Sequence, residues 1–240
     1  MKNWLQLQYF FVKKALSKIK HRNAFRKISY SQAGEDLIVK YIFDSIGLSN
    51  PSYIDIGAHH PEIINNTKIF YDTGSNGINI EANPNLIPAF NRQRKRDINL
   101  NLGISDKSGT LDFHIFNDST LSTFSTDEAT ILSDQGFTVQ NIIPVKIISV
   151  KELFETYAKE NCLDFLSLDA EGVDFNILTQ FITLGLKPVV ICVESISFST
   201  SGAGKKNQQI INLLKSAGYI HYADTNINSI FVLSSRWIRR

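Results

Sequence analysis

The sequence predicts an α/β protein in which helices cover a mostly parallel sheet. From residue 52 onward, short apolar runs alternate with segments of helical spacing, which is the pattern of strands joined by helical crossovers. The composition agrees, because 43% of the 240 residues are apolar and 20% are charged. Such a chain can bury one sizeable core, and its composition excludes a disordered or fibrous protein.

The strands are predicted from short runs of apolar and β-branched residues. These runs cover residues 53–56, 77–82, 98–105, 110–116, 145–150, 164–169, 188–194, 219–223 and 229–233. Helices are predicted over residues 150–160, 174–184 and 206–216. Residues 117–141 are rich in Ser, Thr and Asp, and we expect a lid or an insertion there. One domain is therefore predicted over residues 30–240, preceded by an extension over residues 1–29.

The N-terminal extension is basic and has helical periodicity. Its apolar residues recur every three or four positions, on one helix face: Leu5, Tyr9, Val12, Leu16 and Ile19. Residues 1–29 hold eight Lys or Arg and no acidic residue. A basic amphipathic helix can contact an anionic membrane surface, or it can dock on its own domain. Both interpretations stay open.

The net charge of +2 conceals an acidic body between two basic ends. The last five residues add Arg236, Arg239 and Arg240, and without the eleven basic residues of the two ends the chain has 14 basic and 23 acidic side chains. A nucleic-acid-binding protein more usually has a basic face on its folded domain, so no nucleic-acid partner is predicted. The pattern does not indicate an oligomeric state.

The expected location is the cytoplasm, with the inner face of the membrane as an option if the basic helix binds lipid. No run approaches the ~20 apolar residues that span a bilayer, and residues 4–12 lack the cleavage site of a signal peptide. Cys162 and Cys192 share no motif. They exclude a disulfide scaffold or a cysteine zinc site, and they indicate a reducing compartment.

Acidic residues end three of the predicted strands. Asp55 lies near the end of the first strand, Glu81 ends the second, and Asp169 ends the strand over residues 164–169. Ligands of open α/β sheets bind beyond the carboxyl ends of the strands, close to the point where strand order reverses. Three acids at such positions therefore predict a ligand site.

The turn after the first strand favours a cationic adenosine ligand. Gly57 allows close backbone approach, and Glu81, about 20 residues on, can accept from both ribose hydroxyls. The turn continues with Ala58, His59, His60 and Pro61, without the further glycines that cradle a pyrophosphate. S-adenosylmethionine has no phosphate and carries a sulfonium, so it suits this acidic turn better than a dinucleotide does.

The chain resembles the FkbM family of class I S-adenosylmethionine-dependent methyltransferases over residues 30–233. The resemblance rests on five motifs in order: YSQAGED at 30–36, YIDIGA at 53–58, GINIEANP at 77–84, GISDKSG at 103–109 and LDAEG at 168–172. It implies a Rossmann-like, seven-stranded, mostly parallel sheet with helices on both faces and the last strand antiparallel. It also implies O-methylation of a hydroxyl on a saccharide or related natural product, as in polysaccharide biosynthesis.

The resemblance implies the following donor-binding residues: Gln32, Glu35, Asp36, Asp55, Gly57, Ala58, Glu81, Ala82, Ser105, Asp106 and Asp169. Gln32, Glu35 and Asp36 would close the pocket, and Ser105 and Asp106 would lie beside the adenine. Two positions depart from the family pattern. Ala82 stands where many relatives have proline, and His59-His60-Pro61 replaces the usual Asn-x-Gly, which leaves the contacts of this loop open.

Three residues are candidates for catalysis. Methyl transfer to an unactivated hydroxyl needs a base, and Asp169 is the first choice; Glu171 and His59 are the others. A helix-capping or donor-binding role for Asp169 stays open. Adjacent histidines diverge in direction, so no metal site is predicted from His59 and His60, although a requirement for a divalent ion stays open.

Two other function classes are compatible with parts of the sequence. A nicotinamide-dependent oxidoreductase would explain the position of Glu81. The turn after the first strand, residues 57–61 and called the donor turn below, opposes it because it lacks the further glycines that a dinucleotide needs. A non-catalytic protein anchored at a membrane surface or in a complex would explain the basic ends.

Overall fold

The computed structural model describes residues 26–158, 163–170, 172–196 and 204–237. Its strands are β1 (Tyr53–Ile56), β2 (Gly77–Ile80), β3 (Ile98–Leu100), β4 (Gly103–Ser105), β5 (Gly109–Phe116), β6 (Val139–Ser149), β7 (Phe165–Leu168), β8 (Val190–Glu194), β9 (Tyr219–Asp224) and β10 (Asn228–Leu233). Its helices are α1 (Glu35–Ile46), α2 (Lys68–Asp72), α3 (Ile87–Gln93), α4 (Thr126–Asp134), α5 (Val150–Thr156), α6 (Asp174–Thr183) and α7 (Gln208–Ser216), with a 3₁₀ turn at Ser119–Leu121.

The main sheet has seven strands in the order β3-β2-β1-β7-β8-β10-β9. The neighbours from β3 to β8 pair in parallel, whereas β10 is antiparallel to both β8 and β9. The prediction of a mostly parallel seven-stranded sheet with its last strand antiparallel is therefore confirmed. Strand order reverses between β1 and β7, which opens a crevice at the carboxyl ends of these two strands.

Helices bury both faces of this sheet, as predicted. On one face, α5, α6 and α7 pack on the central strands through residues such as Leu153, Phe181 and Leu214. On the other face, Phe43 of α1 and Phe70 of α2 meet Phe165 of β7 in edge-on ring contacts. Because β1, β2 and β7 are buried at every position, their sequences are continuous apolar runs with few polar exceptions.

A second, three-stranded sheet in the order β4-β6-β5 lies beside the first. The single strand predicted over residues 98–105 is wrong, because the chain changes sheets within it: β3 pairs with β2, and β4 pairs with β6. Asn101 marks the break, where its side-chain amide donates to the carbonyls of Glu81 and Ala82, at 2.9 Å each. The strand predicted over residues 145–150 is part of the eleven-residue β6, which pairs with β5 along its length.

The segment predicted as a lid or insertion lies between β5 and β6. It contains the 3₁₀ turn, α4 and the start of β6, and it packs on the small sheet through Phe116, Ala129 and Leu132. The basic helix predicted in residues 1–29 lies almost wholly outside the described residues and stays a prediction. In the described part of the chain, none of the helices has the length and apolar character needed to cross a membrane.

Candidate functional site

A cavity of about 340 Å³ lies at the carboxyl ends of the parallel strands, beside the crevice between β1 and β7. This volume is within the range of small-molecule sites, about 300–1,000 Å³. Its walls come from the ends of β1, β2, β7 and β8, from the 3₁₀ turn and its flanks, and from the small sheet. The N-terminal segment contributes Gln32.

Gly57 forms the turn at the end of β1 and lies in the cavity wall. Its φ is +75°, which favours glycine. A Cβ at this position would also overlap the carbonyl oxygen of Asp169. The amides of Gly57 and Ala58 both donate to the carbonyl of Ile80, at 3.0 Å, so the turn folds over the end of β2. Gly57 is thus exposed to the cavity at the point where three strand ends meet, while Ala58 is buried behind it.

Glu81 lies at the end of β2 and lines the same cavity. Its carboxylate accepts the backbone N–H of His59 at 2.8 Å and that of Asn83 at 2.7 Å. Only 7% of the residue is exposed, and burial raises the pKa of Glu81 to about 7 despite the two hydrogen bonds. The two amides hold the carboxylate in place, and its remaining lone pairs are available to a ligand.

Asp55 is buried beneath the donor turn and does not line the cavity, whereas the next residues, Ile56 and Gly57, do. Its side chain accepts from Thr67 Oγ1 at 2.9 Å and from Asn65 Nδ2 at 3.3 Å. Burial raises the pKa of Asp55, and hydrogen bonds from Thr67, Ser167 and Asn65 act in the opposite direction. Asp55 therefore anchors the loop of residues 57–67 from below.

Arg94 secures the same loop from the other side, and no sequence signal drew attention to it. The side chain is fully buried and donates to the carbonyl of Pro61 at 3.0 Å and to Thr67 Oγ1 at 2.7 Å. Its Nε pairs with Asp97 at 2.9 Å, and both side chains of this pair have zero exposure. In sequence, Arg94 belongs to a run of basic residues that looks like a solvated helix end.

His59 connects the donor turn to the insertion. Its φ is +52°, and its Nε2 lies 3.0 Å from Ser119 Oγ, with both side chains in the cavity wall. Burial lowers the pKa of His59, which favours the neutral imidazole. Its buried Nδ1 has no hydrogen-bond partner among the described residues.

Part of the cavity wall is apolar. This part consists of Ala82, Leu102, Gly103, Ile104, Phe113 and Phe124, and the two phenyl rings are tilted at a centroid distance of 4.7 Å. Ser105 and Asp106, the predicted neighbours of the adenine, lie just beyond this wall and hydrogen-bond each other at 3.2 Å. Residues 102–104, at the start of β4, line the cavity in place of the predicted Ser105 and Asp106. Apart from Ala82, the residues of this wall were not predicted from the sequence, because apolar side chains at these positions are typical of any strand or insertion.

Asp169 and Glu194 lie in the cavity wall at the ends of β7 and β8. Asp169 is an exposed residue of the cavity wall. Desolvation, and to a smaller extent the nearby charge of Asp174, raises the pKa of Asp169 to about 7, while a side-chain hydrogen bond with Glu194 opposes the rise. The third catalytic candidate, Glu171, lies outside the described residues.

The N-terminal segment is held against the cavity by two buried acids. Glu35 accepts from Thr225 Oγ1 at 2.6 Å and from Asn228 Nδ2 at 3.1 Å. Asp36 accepts from the backbone N–H of Tyr30 at 2.8 Å, and from Ser29 and Ser31. Glu35 and Asp36 thus fix the segment that carries Gln32, and Gln32 itself reaches the cavity.

The charge of the cavity is acidic. Its described lining contains Glu81, Asp169 and Glu194 and no Lys or Arg. Such a surface repels a pyrophosphate and suits a cation. Within the described residues, no group of three or more His, Cys, Asp or Glu has an arrangement that could hold a metal ion.

The sheet order, its antiparallel β10 and an acidic cavity at the switch point are those of a class I methyltransferase. The family model of the methyltransferase FkbM domain matches residues 55–220, well over half of the chain. The chain therefore belongs to the FkbM methyltransferase family, and the resemblance inferred from the motifs is confirmed. Among curated proteins, none matches the chain significantly.

Several solved methyltransferases are similar to the chain at low identity. One is methyltransferase FkbM from Methylobacillus flagellatus KT, with a TM-score of 0.44 and 10% identity over 77% of this chain and 44% of that one. A TehB-like SAM-dependent methyltransferase from Corynebacterium glutamicum has a TM-score of 0.43 and 8% identity, over 92% and 97% of the two chains. The 1,6-didemethyltoxoflavin-N1-methyltransferase of Burkholderia thailandensis has a TM-score of 0.40 and 10% identity, over 94% and 87%. The chain spans less than half the length of the Methylobacillus protein.

The FkbM methyltransferase domain implies S-adenosylmethionine as the methyl donor. The residues present fit this donor on three counts. Gly57 forms a turn with no room for a side chain, and Glu81 is a carboxylate held in place by backbone amides. The described lining contains no Lys or Arg that could bind a phosphate. Membership of the FkbM methyltransferase family decides against the nicotinamide-dependent oxidoreductase.

Proposed function

We propose that the chain methylates a hydroxyl oxygen of an uncharged acceptor, such as a saccharide, with Asp169 as the base. One observation carries the proposal: Asp169, a carboxyl group whose pKa is raised to about 7, lies in the same cavity wall as the donor-side residues Gly57 and Glu81. A general base is most effective when its pKa is close to the working pH. Asp169 meets this condition through desolvation.

On the donor side, each residue has a task that follows from its surroundings. Glu81 would accept the two ribose hydroxyls, since its carboxylate is already oriented by the amides of His59 and Asn83. Phe113, Phe124 and Leu102 would enclose the adenine in an apolar environment. When bound, S-adenosylmethionine supplies an electrophilic methyl group on a sulfonium cation.

On the acceptor side, Asp169 would hold the hydroxyl group and remove its proton. His59 is the weaker candidate for this task, because its Nε2 is engaged with Ser119 at 3.0 Å. We assign His59 to positioning the donor turn against the insertion. The roles predicted for Glu171 and for the other donor-binding candidates stay predictions.

The chemistry of the lining supports a neutral, hydroxyl-rich acceptor. Beside the carboxylates, the wall offers neutral donors and acceptors of hydrogen bonds, among them Gln32, Ser119, Thr120 and Thr123. Hydroxyl and amide groups of this kind bind polyols without requiring charge. An acceptor with a phosphate group would meet Glu81, Asp169 and Glu194, and we expect the cavity to repel it.

The test combines donor binding with turnover. Calorimetry with S-adenosylhomocysteine gives the donor-side affinity, and release of S-adenosylhomocysteine from S-adenosylmethionine is measured with neutral sugars, their phosphates and amino sugars. We expect turnover with neutral sugars. Asp169→Asn should lower this turnover by about 10²–10⁴-fold, as expected for loss of a general base, and should leave the affinity for S-adenosylhomocysteine nearly unchanged.

The matched control is Asp112→Asn, which makes the same change at an exposed position of β5. It should behave like the wild type. Equal losses of donor affinity and turnover in Asp169→Asn would assign Asp169 to donor binding and remove it as the base. A preference for amino sugars or sugar phosphates would overturn the hydroxyl acceptor.

A further inference from the structure

We infer that Glu194 is the second carboxyl of the catalytic base, so that Asp169 and Glu194 hold one proton between them and jointly receive the proton of the acceptor hydroxyl. The inference rests on the proposed methylation of a hydroxyl and adds a residue to it. It arises from the strand register and from the shared cavity wall, and the lowering effect of Glu194 on the pKa of Asp169 supports it.

The register of the sheet brings the two carboxyls together. Leu168 of β7 pairs with Val193 of β8, so Asp169, which follows β7, lies beside Glu194, the last residue of β8. Both side chains line the cavity. Residues that are paired across parallel strands point to the same face, which directs the two carboxyls into the same space.

The lowering effect of Glu194 on the pKa of Asp169 indicates a hydrogen bond between the two side chains, and such a bond requires a proton. An ionised carboxylate only accepts hydrogen bonds, so a bond between two carboxyl groups forms when one of them is protonated. Two carboxyls in one site do not ionise together readily, because the first charge opposes the second. Over the pH range between the two ionisation steps, the pair therefore holds one proton and carries one negative charge.

The surroundings of the pair favour this state. The charges that raise the pKa of Asp169 belong to Asp174 at the start of α6 and to Asp55 of β1. Glu81 lies close enough for the charge of Asp169 to contribute to its own raised pKa, and the same holds for the Cys192 thiol. Beyond β8, Lys206 is bound to Asp224 at 2.9 Å and to Ser195 at 3.1 Å.

The chemistry balances with the pair as a single base. The acceptor O–H bond breaks, and its electron pair forms the new O–CH₃ bond while the C–S electron pair leaves with sulfur. The proton goes to the ionised member of the pair, so that both carboxyls are protonated when the product forms. Loss of one proton to water restores the starting state.

Glu194→Gln tests the role of the second carboxyl, since the amide can still donate a hydrogen bond to Asp169 but cannot share a proton. We expect turnover to fall by about tenfold or more, within the range of general acid–base effects, with the affinity for S-adenosylhomocysteine unchanged. The midpoint of the pH–rate profile should move up, because the amide donates a weaker hydrogen bond to the ionised Asp169 than the protonated carboxyl of Glu194 does. Glu194→Asp should restore most of the turnover.

The matched control is Glu155→Gln on the exposed face of α5, which should leave turnover and midpoint unchanged. If Glu194→Gln matches this control in turnover, or if its midpoint stays where that of the wild type lies, the inference is overturned. A turnover loss that equals a loss of donor affinity would likewise exclude a catalytic role for Glu194.

Infrared spectroscopy of the complex with S-adenosylhomocysteine at pH 6 separates this inference from the proposed function, because it needs no acceptor. A shared proton predicts a protonated-carboxyl band of the pair that Asp169→Asn removes and that Glu194→Gln shifts in frequency, because Asp169, whose pKa is about 7, then keeps the proton without a carboxylate partner. If the band keeps its wild-type frequency in Glu194→Gln, Asp169 holds its proton alone and the pair is refuted. If the wild type methylates no hydroxyl, the proposed function fails, and the infrared result still decides whether the carboxyls share a proton.

Discussion

Gly57 lies directly against the carbonyl group of Asp169, and there is no room between them for a Cβ atom. This contact joins the donor turn after β1 to the strand end that carries the proposed base. The amide of Asp169 donates to the carbonyl of Ile56 at 3.0 Å, so the two segments are also tied by the backbone. Glycine is thus required here by the close approach and by the positive φ together.

Gly57→Ala should abolish binding of S-adenosylhomocysteine and lower the free energy of unfolding. The methyl group must push the donor turn away from β7, in addition to the roughly 1 kcal/mol that a positive φ costs a residue with a side chain. Gly185→Ala is the matched control, since Gly185 has a φ of +73° and open space around a Cβ. Calorimetry and urea unfolding measure both variants. Equal losses in the two would attribute the effect to φ alone.

Glu81→Gln should weaken binding of S-adenosylhomocysteine by about 10–100-fold, because hydrogen bonds to a charged group contribute about 1.5–3 kcal/mol. Since the pKa of Glu81 is about 7 in the free protein, the wild-type affinity should rise as the pH increases from 6 to 8 and the carboxylate ionises. The variant should lose this dependence. Calorimetry at several pH values checks both effects, and a variant that kept the wild-type pH dependence would assign it to another group.

The ligand-free protein should become less stable as the pH rises from about 4.5 to about 7. The folded state holds the proton of Glu81 more tightly than the unfolded chain, whose ordinary value is 4.5, so stability is lost between pH 4.5 and about 7. At about 1.4 kcal/mol per pKa unit, the loss from Glu81 is about 3 kcal/mol. Thermal unfolding should show a smaller fall in Glu81→Gln than in the exposed control Glu155→Gln. Equal falls would contradict the raised pKa.

The sheet could be predicted from the sequence because its strands are buried on both faces. Tyr53–Ile56 and Phe165–Leu168 are short, mostly apolar segments with an acid near or just after their ends. Both form strands in the structure, as this pattern predicts. The change of sheets at Asn101 could not be predicted, since residues on both sides of it favour a strand and only the pairing partners differ. The residues of a strand do not by themselves reveal which other strand it pairs with.

The same limit applies to the site. Strand-end residues such as Glu81 and Asp169 were found because the ends of parallel strands converge by topology. The apolar wall of Phe113 and Phe124 comes from the second sheet and the insertion, whose position follows from tertiary packing alone. Arg94 is the clearest case, because its partners Pro61, Thr67 and Asp97 lie on separate segments.

The basic extension should bind anionic vesicles. Residues 1–25 contain six Lys or Arg and no acid, and each basic residue near an anionic surface contributes about 1 kcal/mol at moderate ionic strength. The full chain should float with phosphatidylglycerol vesicles at low salt, and a chain starting at residue 26 should not. That boundary keeps the contacts of Ser29 and Tyr30 with Asp36. Flotation of the shortened chain, or of the full chain with neutral phosphatidylcholine vesicles, would contradict the prediction.

Arg94→Met should lower the free energy of unfolding by about 3–5 kcal/mol, because it leaves the buried Asp97 without its cationic partner. The exposed Arg92→Met in α3, two residues before Arg94, is the matched control and should cost little. In the double variant Arg94→Met, Asp97→Asn, no charge is left uncompensated. Its destabilisation should therefore be smaller than the sum of the two single variants, as measured by urea unfolding. Additive losses would show that Arg94 acts through Pro61 and Thr67 on the donor loop, and not through the ion pair.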